Sequence, residues 1–119
     1  MSHTLNIETE IRDLNALRAA CERLGVRCEH GEHQLYASTE TGHGVFLKDW
    51  EYPAVVKEDG KVAYDTYNGR WGDEVRLSEL KANYGLEKAK IEARKKGYSY
   101  FETRNDQELV LRIRTGTDG

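Results

Sequence analysis

Proline occurs once, methionine once and cysteine twice in 119 residues, and each scarcity narrows what the chain can be. The single proline, Pro53, leaves no material for a proline-rich linker or a polyproline recognition tract. Cys21 lies on an apolar helical stripe and Cys28 on a strand-like run. Two cysteines so placed are too few for a secreted disulfide framework and read as reduced, part-buried thiols that pack. No run approaches the ~18 apolar residues that a bilayer span requires, and Met1-Ser2-His3-Thr4 lacks the basic and apolar regions of a signal peptide. The expected compartment is the cytosol or an organelle's equivalent, with no membrane partner. A net positive charge is also missing: 18 basic against 21 acidic residues leave −3. No overall field draws nucleic acid to the surface, so such a ligand would need a local patch.

What remains is 38% hydrophobic and 33% charged, enough to bury one core without disulfides or metal. We read residues 1–114 as a single α+β domain and 115–119 as a flexible tail. Leu5, Ile7, Thr9 and Ile11 alternate with Asn6, Glu8, Glu10 and Arg12, the period of a strand with one wet face. A Leu14/Leu17/Cys21/Leu24 stripe then predicts a helix over 14–24, with Asp13 as N-cap and Gly25 in the left-handed position after it.

Between residues 26 and 68 the short runs Val26–His30, Gln34–Ala37, Gly44–Lys48, Ala54–Lys57 and Lys61–Tyr67 predict an antiparallel meander. Gly31, Gly42, Pro53 and Glu58-Asp59-Gly60 separate them, and Asp59-Gly60 is the strongest hairpin signal. Phe46, Trp50, Tyr52, Tyr64, Tyr67 and Trp71 crowd into this region. A second helix over about 75–96 ends at Gly97. At 100° per residue it sets Leu77, Leu80 and Tyr84 almost opposite Ala82, Leu86, Ala89 and Ala93, with Gly85 at the crossover. Either the helix bends at Gly85 or it packs on two sides, in which case the second face implies a partner. Tyr98–Thr103 and Glu108–Arg114 follow as strands joined by Arg104-Asn105-Asp106. The whole predicts an antiparallel sheet of five to seven strands with two helices on one face. A ferredoxin-like arrangement with an inserted hairpin is the first topology to test.

The chemistry is sparse. Cys28, His30, His33 and His43 offer soft ligands, but their spacing matches no zinc module, so neither metal nor other cofactor is expected. His33, His43, Asp65 and Asp73 are available acid–base groups without a nucleophile placed beside a base, which argues against an enzyme. Lys96 to Thr103 partly matches the strand with which RNA-recognition domains stack bases, and Gly69-Arg70-Trp71-Gly72 satisfies a GXXG pattern. Arg70, Trp71, Tyr98 and Tyr100 therefore define a nucleotide- or RNA-binding alternative. The basic run Lys88, Lys90, Arg94, Lys95 and Lys96 complements a helix C-terminus. The leading expectation is a non-enzymatic protein-binding or self-associating module that uses Tyr84, Leu86, Lys88, Ile91 and Lys95, with Trp50 and Tyr52.

Met1-Ser2-His3, the run Ile7 to Leu17, Leu80-Lys81-Ala82-Asn83-Tyr84, Glu92-Ala93, Lys96-Gly97-Tyr98 and the closing Leu109 to Arg114 together resemble an uncharacterised family. It is the cyanobacterial and plastid family known as hypothetical chloroplast open reading frame thirty-five. The likeness covers both ends and fades from about Glu29 to Lys61. It carries no catalytic residues. It implies an accessory or adaptor subunit to an AAA-type ATPase, in the cytoplasm or plastid stroma.

Overall fold

The computed structural model describes residues 5–7, 10–105 and 108–114. The readings made on Met1 to Thr4, Glu8, Thr9, Asp106 and the tail 115–119 lie outside them. The chain runs β1 (Leu5–Ile7), α1 (Leu14–Leu24), β2 (Arg27–Gln34), β3 (Thr39–Phe46), β4 (Ala54–Val56), β5 (Val62–Tyr64), α2 (Glu74–Lys95), β6 (Ser99–Asn105) and β7 (Glu108–Arg114). The fold is α+β, with a five-stranded antiparallel sheet in the order β1-β5-β4-β3-β2 and a separate β6–β7 ribbon.

The ends of α1 follow from two residues. Asp13 adopts an extended conformation and its carboxylate accepts from the Asn15 and Ala16 amides, which otherwise have no intrahelical acceptor. Gly25 sits at φ 70°, where a side chain would be strained, and turns the chain back so that the Val26 amide reaches the Cys21 carbonyl at 3.0 Å. The strand order puts β1 and β2 on opposite edges, so α1 must carry the chain across the sheet. Its 11 residues span about 16 Å at ~1.5 Å per residue, close to the ~19 Å width of five strands at ~4.8 Å spacing.

Two details of the meander differ from the sequence reading. Gln34 ends β2, and Leu35–Ala37 is not a strand but part of the turn where the Leu35 amide meets the Ser38 carbonyl at 2.7 Å. Gly31 and Gly42 do not separate strands but pair with each other inside them. A Cβ on Gly42 would lie 2.3 Å from the Val56 carbonyl oxygen, so β4 approaches β3 only because no side chain stands there. The Asp59-Gly60 hairpin forms as expected, the Lys57 amide donating to the Lys61 carbonyl at 2.8 Å.

Both helices cover one face, where Ile11, Leu17, Cys21, Val45, Val56, Val62, Leu77, Leu80 and Tyr84 share one buried cluster. Full burial of each large aliphatic side chain contributes roughly 1.5–3 kcal/mol. The opposite face is not simply wet: Leu35, Val55 and Ala63 are buried there with Tyr52 packed against them. The arrangement is not ferredoxin-like, because β6 and β7 leave the first sheet and pair with each other. A central strand must bury both faces, and β6 carries Glu102 on one of them.

Candidate functional site

The helix α2 runs unbroken through Gly85 for 22 residues, so the two-sided alternative holds; on its second side Leu86 and Ala93 are buried within the monomer while Ala82 is exposed. β6 and β7 both pack against α2. The Tyr98 amide bonds the Ala93 carbonyl at 2.9 Å, and Lys90, on the same stripe as Leu86 and Ala93, reaches Glu102 of β6 at 2.6 Å. Glu102 also takes Arg23 of α1 at 2.6 Å, and Glu87 holds Arg23 at 3.2 Å and Lys90 at 3.0 Å. Four alternating charges thus close a ring joining α1, α2 and the ribbon. Arg23 anchors it further by donating through Nε to the Asn83 Oδ1 at 2.9 Å. Hydrogen bonds from Arg23 and Lys90 hold the Glu102 carboxyl down at about 2, well below the usual range.

Strand alternation decides what the ribbon shows. Tyr100 and Glu102 face the helix, with the Tyr100 hydroxyl accepting from Arg94 at 2.7 Å. Phe101 faces away beside its partner Arg112 and is 56% exposed, whereas Ile113, 46% exposed, pairs with Tyr100 on the other side of the ribbon. Among the described residues neither β6 nor β7 has a second strand neighbour, so each presents a full edge of backbone donors and acceptors. Phe101, Arg112 and Ile113 do not figure among the residues singled out from sequence. The alternation of Phe101 against Tyr100 and Glu102 is the signal that marks Phe101, and the pairing across the ribbon adds Arg112.

The residues expected to meet a partner do not form one patch. Tyr84 and Leu86 are buried at 6% and 8% exposure. The Tyr84 hydroxyl accepts from the Arg12 and Asp13 amides at 3.2 and 3.1 Å, fastening the chain ahead of α1 to α2. Ile91 packs against the main core. Lys88 lies 3.9 Å from Asp13 and Lys95 3.9 Å from Glu92, both at the surface. Trp50 is half-buried, its indole N–H donating to the Asp73 carbonyl at 3.0 Å. Tyr52 lies on the other sheet face against Trp71.

The nucleic-acid set is split as well. Arg70 stands over the Tyr67 ring at 5.2 Å, and Trp71 gathers Tyr36, Tyr52 and Tyr67 within 4.8, 5.4 and 4.8 Å. Tyr98 and Tyr100 sit beyond the far end of α2, about 30 Å away at the ~1.5 Å helical rise. Of the soft ligands, Cys28, His30 and His43 share the helix-covered face. His33 turns to the opposite one, where its ring lies over Gly44 and edge-on to Phe46. Among the described residues no group of three His, Cys, Asp or Glu is placed to hold a metal ion.

The acid–base groups are equally dispersed. His30 and His43 face each other across β2 and β3 with ring centres 4.7 Å apart, beside a cavity of about 370 Å³ that Arg12 and Lys57 also border. Burial pushes the His43 imidazole below its usual range, and the neighbouring His30 adds to the shift. Asp73 caps α2 through the Val75 amide. Asp65 is fully buried and its carboxylate has no hydrogen-bond partner among the described residues. No helix among them is long and apolar enough to cross a membrane. No protein-family model, curated protein or solved structure matches this chain.

Proposed function

We propose that this chain is a small non-enzymatic protein-binding module whose contact surface is the outer side of the β6–β7 ribbon. The observation that carries this reading is the ribbon itself, seven paired residues long with both edges open and with Phe101 and its partner Arg112 exposed on the outer side. An extended segment of a partner adds to such an edge through main-chain hydrogen bonds, and side chains such as Phe101 supply selectivity. Arg112 beside Phe101 makes an acidic or aromatic segment the favoured complement. Tyr84 and Leu86 serve this reading from inside, fixing the helix on which the ribbon rests. The likeness to the plastid family makes an AAA-type ATPase the first partner to try.

The test is a photoreactive residue placed at Phe101 in living cells, with one at the exposed Asn68 as control. Specific adducts from position 101 that vanish when Arg112→Glu is added support the proposal. Equal capture from both positions, or none, sinks it. Self-association is the second form of the same reading, and light scattering across concentration decides it.

A nucleotide or RNA ligand is favoured by one further observation: Tyr36, 57% exposed, lies against Trp71 with Arg70 alongside. Stacking of bases there would quench Trp71 fluorescence in a Trp50→Phe background and weaken steeply with salt. Unchanged emission on titration with mixed-sequence oligonucleotides removes this alternative.

A further inference from the structure

The turn after α1 brings together the chain's only two cysteines. Cys21 occupies the last turn of α1, its carbonyl taking the Val26 amide at 3.0 Å. The chain then reverses at Gly25 and enters β2. Cys28 pairs with Val45 on the face that α1 covers, which aims it back at the helix. Cys28 packs against the buried cluster to which Cys21 belongs. Cys21 is buried and Cys28 is partly open to solvent.

We propose that Cys28 is a thiol–disulfide exchange site that Cys21 resolves, and that it takes low-molecular-weight disulfides as its reagent. The outer sulfur attacks and the inner one completes the reaction, as their exposures require. The Cys28 thiolate displaces one half of a disulfide RSSR, forming a mixed disulfide and releasing RS⁻. Cys21 then attacks the Cys28 sulfur, forming the Cys21–Cys28 bond and releasing the second RS⁻. The dithiol loses two electrons, the reagent gains them, and the two cysteine protons end on two RSH.

The surroundings suit each role. Donation from the Cys21 thiol pulls Cys28 down to about 7 against the opposing effect of burial, and the Arg18 guanidinium assists while Glu29 works the other way. A thiol near that value is half ionised at neutral pH and attacks well. The Cys21 thiol is pushed up first by donating to Cys28 and then by burial. Once Cys28 is in the mixed disulfide its negative charge is gone, so the larger of these restraints on Cys21 disappears when its proton must leave. The reaction orders itself.

The experiment uses the full reduced chain, glutathione disulfide, an acid quench and intact mass with thiol counting. The wild type is expected to lose both thiols, retain no glutathione and yield a linked Cys21–Cys28 peptide on digestion. Cys21→Ala is expected to stop at one glutathionyl group per chain, and Cys28→Ala to keep its thiol. In alkylation of the wild type, the pH midpoint is expected near 7 and should rise in Cys21→Ala, a shift that a merely packed cysteine would not show. Wild-type chains that keep both thiols, or that accumulate the mixed disulfide unresolved, overturn the proposal. So does Cys28→Ala reacting as fast as Cys21→Ala. Should either variant fail to fold by circular dichroism, the wild-type mass and linked peptide decide alone.

Discussion

Single residues do most of the positioning in this molecule. Glu102 joins Arg23 and Lys90, and its carboxyl is held at about 2 by those two hydrogen-bonded cations, against about 4.3 in an unfolded chain. A depressed carboxyl contributes stability that is present above the unfolded value and is lost as pH falls toward the folded one. Thermal melting of the wild type should therefore drop between pH 5 and 2 more steeply than that of Glu102→Gln; parallel profiles would show that the ring of charges carries no weight. Tyr84 acts through its hydroxyl, which accepts two backbone amides from the segment before α1. Tyr84→Phe leaves both donors unpaired, and urea unfolding should register a loss of about 1–3 kcal/mol. A loss below the precision of that measurement would mean that water reaches those amides.

Among the elements, two glycines with opposite surroundings test the packing. Gly85 sits mid-helix, and a Cβ added to it would have open space within 4 Å, so Gly85→Ala should stabilise the protein by about 0.5–1 kcal/mol through helix propensity alone. Gly42 is the reverse. Its Cβ would meet the Val56 carbonyl at 2.3 Å, and a strand backbone cannot move aside as a flexible side chain would, so Gly42→Ala should lower the melting temperature sharply. Melting curves for the two variants should shift in opposite directions, and a shared direction would contradict the register of β3 against β4. The helical elements are legible in sequence because their determinants are local: Asp13 and Gly25 bound α1 where expected. The strands running through Gly31 and Gly42 are not, because glycine signals a turn in sequence, whereas here it answers to a neighbouring strand.

For the molecule as a whole, the ribbon contributes none of its described side chains to the buried apolar clusters. Its attachment to α2 runs through the charged ring, Tyr100 and Arg94, while the five-stranded sheet is sealed by a core whose main members are fully buried. The radius of gyration, 15.8 Å, exceeds the ~13.5 Å of a compact chain this long, as expected when a seven-residue ribbon extends from the core. Amide exchange should therefore separate the two units, with residues 99–105 and 110–114 opening at lower free energy than 43–46 and 54–56, and more so at high salt. Equal protection would make the molecule one cooperative block and remove the freedom that edge pairing with a partner needs.

The sequence by itself determined the α+β class, the extent of α1, the Asp59-Gly60 hairpin and the end of a second helix before Gly97, because periodicity, caps and turns act within a few residues; that this helix runs straight through Gly85 was decided by the structure. It could not tell that the later part of the spare stripe of α2 packs against β6 and β7, since Arg23, Glu87, Lys90 and Glu102 stand up to 79 positions apart. Nor could it tell that Cys28 faces Cys21 while His33 turns away from His30 and His43. Those arrangements depend on which side of a strand meets which side of a helix, and only three-dimensional packing makes that choice.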